Sequence, residues 1–463
     1  MNSVRPASEA PGHLVFPHPR LSGEFRDWRG RRYLVGASAR ELTGRDRSAV
    51  LAGTVPALLA VGVLQYGYGS VVPVLTAAHG LSTAQALTPL LVWALFQGGS
   101  AVPVAHLRER GALAPGRAVV LGAALCAVAL ATLGHADGLG ALLLGYGVLG
   151  GAGAGLVYHS CVHLAAAWYP ERPTARTGLA GGAFALGAAP VVVAATVGLR
   201  PDDLAAACTV AAIVVGGVTA LCGRRLPEPP RHWWPPHPDP RAWALDRRVN
   251  PALAANPAAA GEHSPAQAWR SGALPAMNAV LALAGAVSLF NIACLPVFLH
   301  AWGASPAAVA AAVATLVATN GAGRVAADRA SERLGRRRTL GAVLALSGIA
   351  QFGLAAGGAS GAVPLLLCCA ALAGVGGGAC YPLTSALAVD YFGVRDAGRN
   401  QGFVYSAKAL GGLLGIGGAA VLLALAPTNG HVAAFCAAGL LALAAAALTL
   451  RLHRPINIRT IPG

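Results

Sequence analysis

Apolar stretches long enough to cross ~30 Å of hydrocarbon as helices recur along the chain, separated by short polar turns. They predict twelve transmembrane helices, near 49–75, 84–106, 118–135, 139–166, 177–198, 203–223, 273–299, 306–330, 339–357, 362–388, 402–426 and 431–451. Two polar stretches interrupt the pattern. Residues 1–48 are rich in arginine and predict a basic N-tail with no cleavable signal peptide. Residues 224–272, beginning GRRLPEPPRHWWPPHPDP, carry too much proline and charge to cross a bilayer and predict an irregular linker without a core of its own.

The chain is also a duplication. At an offset of 223 residues, Pro73-Val74 falls on Pro296-Val297, Gly80 on Gly303, Ser82 on Ser305, Gly98 on Gly321, Glu109-Arg110 on Glu332-Arg333 and Tyr158 on Tyr381. Arg172 and Arg176 fall on Arg395 and Arg399, and after one inserted residue Gly178 meets Gly402 and Gly187 meets Gly411. The expected fold is therefore an all-α membrane protein of twelve helices in two parallel six-helix repeats, residues 49–223 and 273–451, with a tail at 452–463.

Composition agrees. Of 463 residues 55% are hydrophobic and 11% charged, and the mean hydropathy is +0.58, whereas an ordinary soluble enzyme has about a quarter of its residues charged. The net charge of +16 could point to nucleic acid, but the arginines decide otherwise. With a cytoplasmic N-terminus, all of the 34 basic residues except Arg200, Arg324 and Lys408 fall in inward loops, tails and inward helix ends. This is the positive-inside pattern, and it predicts a multi-pass plasma-membrane protein with both termini cytoplasmic. The nine cysteines lie in or beside apolar segments without metal-ligand spacing, so no metal and no cofactor is expected.

Arg324 and Lys408, the latter the only lysine, fall inside predicted helices. An unpaired cation at the bilayer centre costs roughly 2.5–3.5 kcal/mol or more, so it ordinarily faces a cavity or a partner. Counted from Glu332 and Arg399, both lie at similar depth, and their first-half counterparts are Ala101 and Phe184. They are candidates for a paired cationic site whose counterion is a transported anion. Two alternatives stand beside this: Lys408 snorkels to the cytoplasm, and Arg324 pairs with Asp328 at i,i+4.

Three runs carry a family resemblance: NGAGRVAADRASERLGRRRTL at 320–340, DYFGVRDAGRNQGFVYSAKALGG at 390–412 and GGAGAGLVYHSCVHLAAAWYPERPTARTG at 150–178. They resemble the helix 8–9, 10–11 and 4–5 segments of the oxalate/formate antiporter family of the major facilitator superfamily. The resemblance implies that Arg324 and Lys408 bind substrate carboxylates and that Tyr66, Tyr158 and Tyr381 line the cavity. It implies a gating loop of Glu332, Arg333, Gly335 and Arg336, with Asp328 where that loop has glycine. Phe184 stands where the oxalate transporter has tyrosine and Gly377 where it has tryptophan, which predicts one hydroxyl fewer, more room, and a substrate other than oxalate itself.

His159 and His163, one turn apart on helix 4, could take a coupling proton, bond the substrate or simply pack between helices. The glycine runs 150–155 and 411–418 lie in apolar helices and predict close helix approach. The expected activity is alternating-access transport of small mono- or dicarboxylates by a monomer, by exchange of one anion for another. Proton-coupled symport, export of drugs or amphipathic compounds, and a membrane sensor without flux are the alternatives; no nucleophile, phosphate loop or metal cluster suggests an enzyme. In a variant lacking the native cysteines, a cysteine at position 200 should react with an impermeant maleimide in intact cells and one at 247 only after lysis. The reverse would invert the topology.

Overall fold

The computed structural model describes residues 23–27, 31–426 and 430–455. Among the described residues twelve helices are long and apolar enough to span a membrane: α1 (Arg47–Tyr66), α2 (Thr83–Glu109), α3 (Pro115–His135), α4 (Leu139–Trp168), α5 (Pro173–Gly198) and α6 (Pro201–Gly223) in the first half. The second half holds α7 (Ala273–Ala301), α8 (Pro306–Leu334), α9 (Arg336–Ser360), α10 (Val363–Phe392), α11 (Ala397–Leu425) and α12 (Gly430–Thr449). A break at Gly67 is followed by a continuing helix over Tyr68–His79. Large apolar side chains such as Val210, Ile213, Val214 and Leu221 on α6 stand exposed, as lipid-facing positions do. Every predicted span is present. α11 begins five residues before the hydropathy pattern suggested, because its first turn carries Arg399 and Asn400.

The duplication has a structural basis. Gly80 and Gly303 both take positive φ, +62° and +77°, at matching turns that a side chain would strain. Two residues on, the Ser82 and Ser305 hydroxyls accept the backbone N–H of Gln85 at 3.2 Å and Ala308 at 3.3 Å, capping α2 and α8.

The halves meet along two seams, α2 with α11 and α5 with α8, both tightened by glycine. A Cβ on Gly98 would lie 2.8 Å from the Ala409 nitrogen, and one on Gly182 2.7 Å from the Gly321 carbonyl. Gly402 similarly sits against Ala101. Small residues let these backbones approach, as expected for helices in lipid.

The linker departs from expectation. Strands β1 (Gly23–Arg26), β2 (Arg32–Val35) and β3 (Trp233–Trp234) form a sheet in that order, joining N-tail to linker outside the spanning helices. Trp233 and Trp234 are buried, Trp234 edge-on to Tyr33 and Trp233 against Trp168, with Arg31 over three aromatic rings. Aromatic and arginine stacking has no apolar period, so it was invisible to pattern reading. Burial, then the charges of Arg32, Arg31 and Arg231, push the His232 imidazole below its ordinary range.

The linker is fastened to both halves. Trp168 Nε1 donates to the Pro227 carbonyl at 2.8 Å and Trp243 Nε1 to that of Glu171 at 2.9 Å, while Arg231 donates to the Glu109 carbonyl. On the other half Asn256 donates to the Ser331 carbonyl at 2.9 Å and accepts from the Arg336 amide at 2.8 Å. Asn400 donates to the His263 carbonyl at 3.0 Å. Trp233→Ala should cost about 3–5 kcal/mol locally. Faster trypsin cleavage between Arg224 and Arg248, with the helical core intact, is the expected readout.

Candidate substrate-binding site

Lys408, on α11, is 1% exposed and donates from Nζ to Gln65 Oε1 of α1 at 2.6 Å. The nitrogen lies 5.1 Å from the ring centroid of Trp93, 5.6 Å from Tyr381, 5.8 Å from Tyr405 and 6.0 Å from Phe184. Its partner is in the opposite half, so it does not snorkel.

Arg324, on α8, is 2% exposed. Nη2 donates to the Tyr66 hydroxyl at 2.9 Å and Nη1 to that of Tyr158 at 3.2 Å. The Tyr66 hydroxyl in turn donates to Asn320 Oδ1 at 2.9 Å. The guanidinium lies 5.3 Å from the Tyr381 centroid, so both cations stand over one ring. The i,i+4 pairing with Asp328 is not made: Arg324 bonds tyrosines of the other half, and neither Asp328 oxygen has a hydrogen-bond partner among the described residues.

Both cations come from the second half and their bonded partners Gln65, Tyr66 and Tyr158 from the first. The surroundings hold more donors than acceptors. Among the described residues, Arg324 Nε, Gln65 Nε2, Trp93 Nε1 and the Tyr381 hydroxyl are buried without a hydrogen-bond partner, against three such acceptor atoms, Gln97 Oε1 and the two Asp328 carboxyl oxygens one turn from Arg324 along α8. The Gln65 orientation follows from chemistry, since an ammonium needs an acceptor.

A cavity of about 110 Å³ starts at Arg324, Tyr158, Tyr381 and Tyr405 and reaches Arg108 and Gly398 at the linker end of α2 and α11. Lys408 does not line it and lies behind the tyrosines. A separate cavity of about 510 Å³ lies at the opposite end of the bundle, between Pro73, Ser82, His300 and His431.

The remaining predicted residues divide. Phe184 packs between Tyr66 and Tyr158, with centroids 5.9 and 5.1 Å away. The room expected at Gly377 is absent: the Ser288 hydroxyl donates to its carbonyl at 3.1 Å and α7 fills the space. His159 lines the cavity with Nε2 3.3 Å from the Gln97 carbonyl, and His163 faces linker residue Glu228 at 3.0 Å. In the gating loop Gly335 turns at φ +91°, Arg336 pairs with Asp390 of α10, and Arg333 is exposed while Glu332 is half-buried.

Sequence reading missed Gln65, Trp93, Gln97, Asn320 and Tyr405. Tyr405 lies three residues before Lys408 on one helix face and packs against the rings of Tyr158, Tyr381 and His159, and its hydroxyl accepts from Gln97 at 3.2 Å. The signal available was an amide inside an apolar helix, which needs a partner as a charge does.

Residues 276–462 match the family profile described as Major Facilitator Superfamily. No curated protein sequence matches the chain. Among solved structures, the crystal structure of the human organic anion transporter MFSD10 (TETRAN) is similar, with a TM-score of 0.58, 17% identity, and coverage of 87% of this chain and 98% of that one. The chain thus has the major facilitator fold, and profile and fold together support that superfamily and a secondary transporter rather than an enzyme.

Proposed function

We propose that this chain is a secondary active transporter of small organic anions, working as a monomer in the plasma membrane with both termini cytoplasmic. The observation that carries the reading is the surplus of buried donors around two cations, with no carboxylate hydrogen-bonded to either among the described residues. A carboxylate accepts several hydrogen bonds and neutralises charge, which is what these groups lack. The fold likeness to a protein described as an organic anion transporter points the same way.

Arg324 and the tyrosines take the anion from the cavity, and Lys408 enters the site as the second cation when the aromatic layer shifts. The bundles 49–223 and 273–451 rock about this point. Judged by the two cations alone, an empty carrier would be costly to turn, which favours exchange of one anion for another. A cavity of about 110 Å³ holds a few non-hydrogen atoms, whereas drug-sized sites run to roughly 300–1,000 Å³, so small carboxylates are favoured over amphipathic drugs. Phe184 offers no hydroxyl, which favours formate, lactate or pyruvate over oxalate.

The purified protein should gain thermal stability with the carried anion, and proteoliposomes should show counterflow of it. Binding without flux would instead mark a sensor. Arg324→Ala and Lys408→Ala should each weaken binding by about 1.5–3 kcal/mol, tenfold to over a hundredfold, the worth of a hydrogen bond to a charged group. Wild-type transport by both variants would remove the proposal. Tyr66→Phe should cost less, about 1 kcal/mol, since Arg324 keeps Tyr158.

A further inference from the structure

Asp328 is 0% exposed and lies one turn along α8 from Arg324, towards the linker face. Among the described residues neither carboxyl oxygen has a hydrogen-bond partner and no ion pair reaches it. It sits in the α5–α8 seam, where Oδ2 fills the space that a Cβ on Gly178 would take. The charged groups around it are Arg324 and Glu332 on its own helix and Arg336 at the start of α9, the last committed to Asp390 of α10. From α5 Gly178 faces it, while the Arg176 guanidinium stacks on Tyr169 at 4.5 Å. The repeat offset puts Ala105 at the equivalent position of the α2–α11 seam, so the acid, like Arg324, belongs to one seam only.

A carboxylate without a donor costs several kcal/mol to hold in a protein interior. A proton removes that cost and fits the closed seam, whereas opening the seam would hydrate the group. We propose that Asp328 is the proton-coupling residue, carrying one proton across with each anion. The inference rests on the anion-transport reading and deepens it. In the loaded carrier the guanidinium is offset by the anion and Asp328 is a neutral acid. When the anion leaves, the Asp328 O–H gives its proton to water, and the resulting carboxylate, at i,i+4 spacing, offsets Arg324. Loaded and empty sites then carry the same net charge, so the empty carrier can return and net flux follows the proton gradient. The cations alone would have imposed exchange.

The test uses the full-length protein in proteoliposomes with a trapped pH dye and labelled formate, oxalate, L-lactate and pyruvate. For the anion that shows counterflow, an external pH one unit lower should drive about tenfold accumulation in the wild type, because one pH unit is a tenfold ratio of proton activity. The lumen should acidify with uptake. Asp328→Asn and Asp328→Gly should still catalyse counterflow, which moves no net proton, while accumulation falls to about onefold. A wild type that shows counterflow but, under the pH gradient, takes up the anion without acidifying the lumen or fails to accumulate it overturns the proposal, whatever the variants do. Full accumulation by either variant also overturns it and moves the proton to another group, His163 first. Absence of counterflow with all four anions in the wild type overturns the anion reading itself and this proposal with it.

Discussion

Two cations held out of water at the meeting of the halves set the terms for the rest of this structure. Each would cost several kcal/mol unpartnered, and hydrogen bonds to charged groups return roughly 1.5–3 kcal/mol apiece. Arg324 is met by two tyrosine hydroxyls and Lys408 by one amide and four aromatic rings. These partners are neutral, so the charges are solvated without being cancelled. On the proposed anion-transport reading, the carried anion supplies the counter-charge that this shell leaves out.

The partners also sit across the interface. Both cations bond across the interface, so separating the halves would break the Gln65–Lys408 and Tyr–Arg324 contacts. The glycine seams make the closed arrangement compact: Gly98 against Ala409 and Gly182 against Gly321 leave no room for a methyl group. The linker spans both halves on one face, with Glu228 facing His163 and Asn256 bonded to the α8–α9 turn. It is a packed strap rather than a loose tether, and movement of the halves has to pass through its aromatic and arginine stacking.

The sequence by itself determined the twelve spans, the duplication, the side on which the arginines gather and the singling out of Arg324 and Lys408. Those follow from one-dimensional facts: hydrocarbon thickness fixes the length of an apolar run, and a cation within such a run is costly wherever the helix packs. The matched caps at Ser82 and Ser305 and the matched turns at Gly80 and Gly303 show that the repeat read from scattered identities is a repeat of local physics. Only the tertiary structure decided the partners. Gln65 and Lys408 are 343 positions apart, and nothing in either segment names the other. The same holds for the closing of the space at Gly377 by α7, the β2–β3 pairing of N-tail with linker, and the isolation of Asp328 beside Gly178. Those depend on which helix faces meet, and in helices apolar all round the sequence carries little record of that.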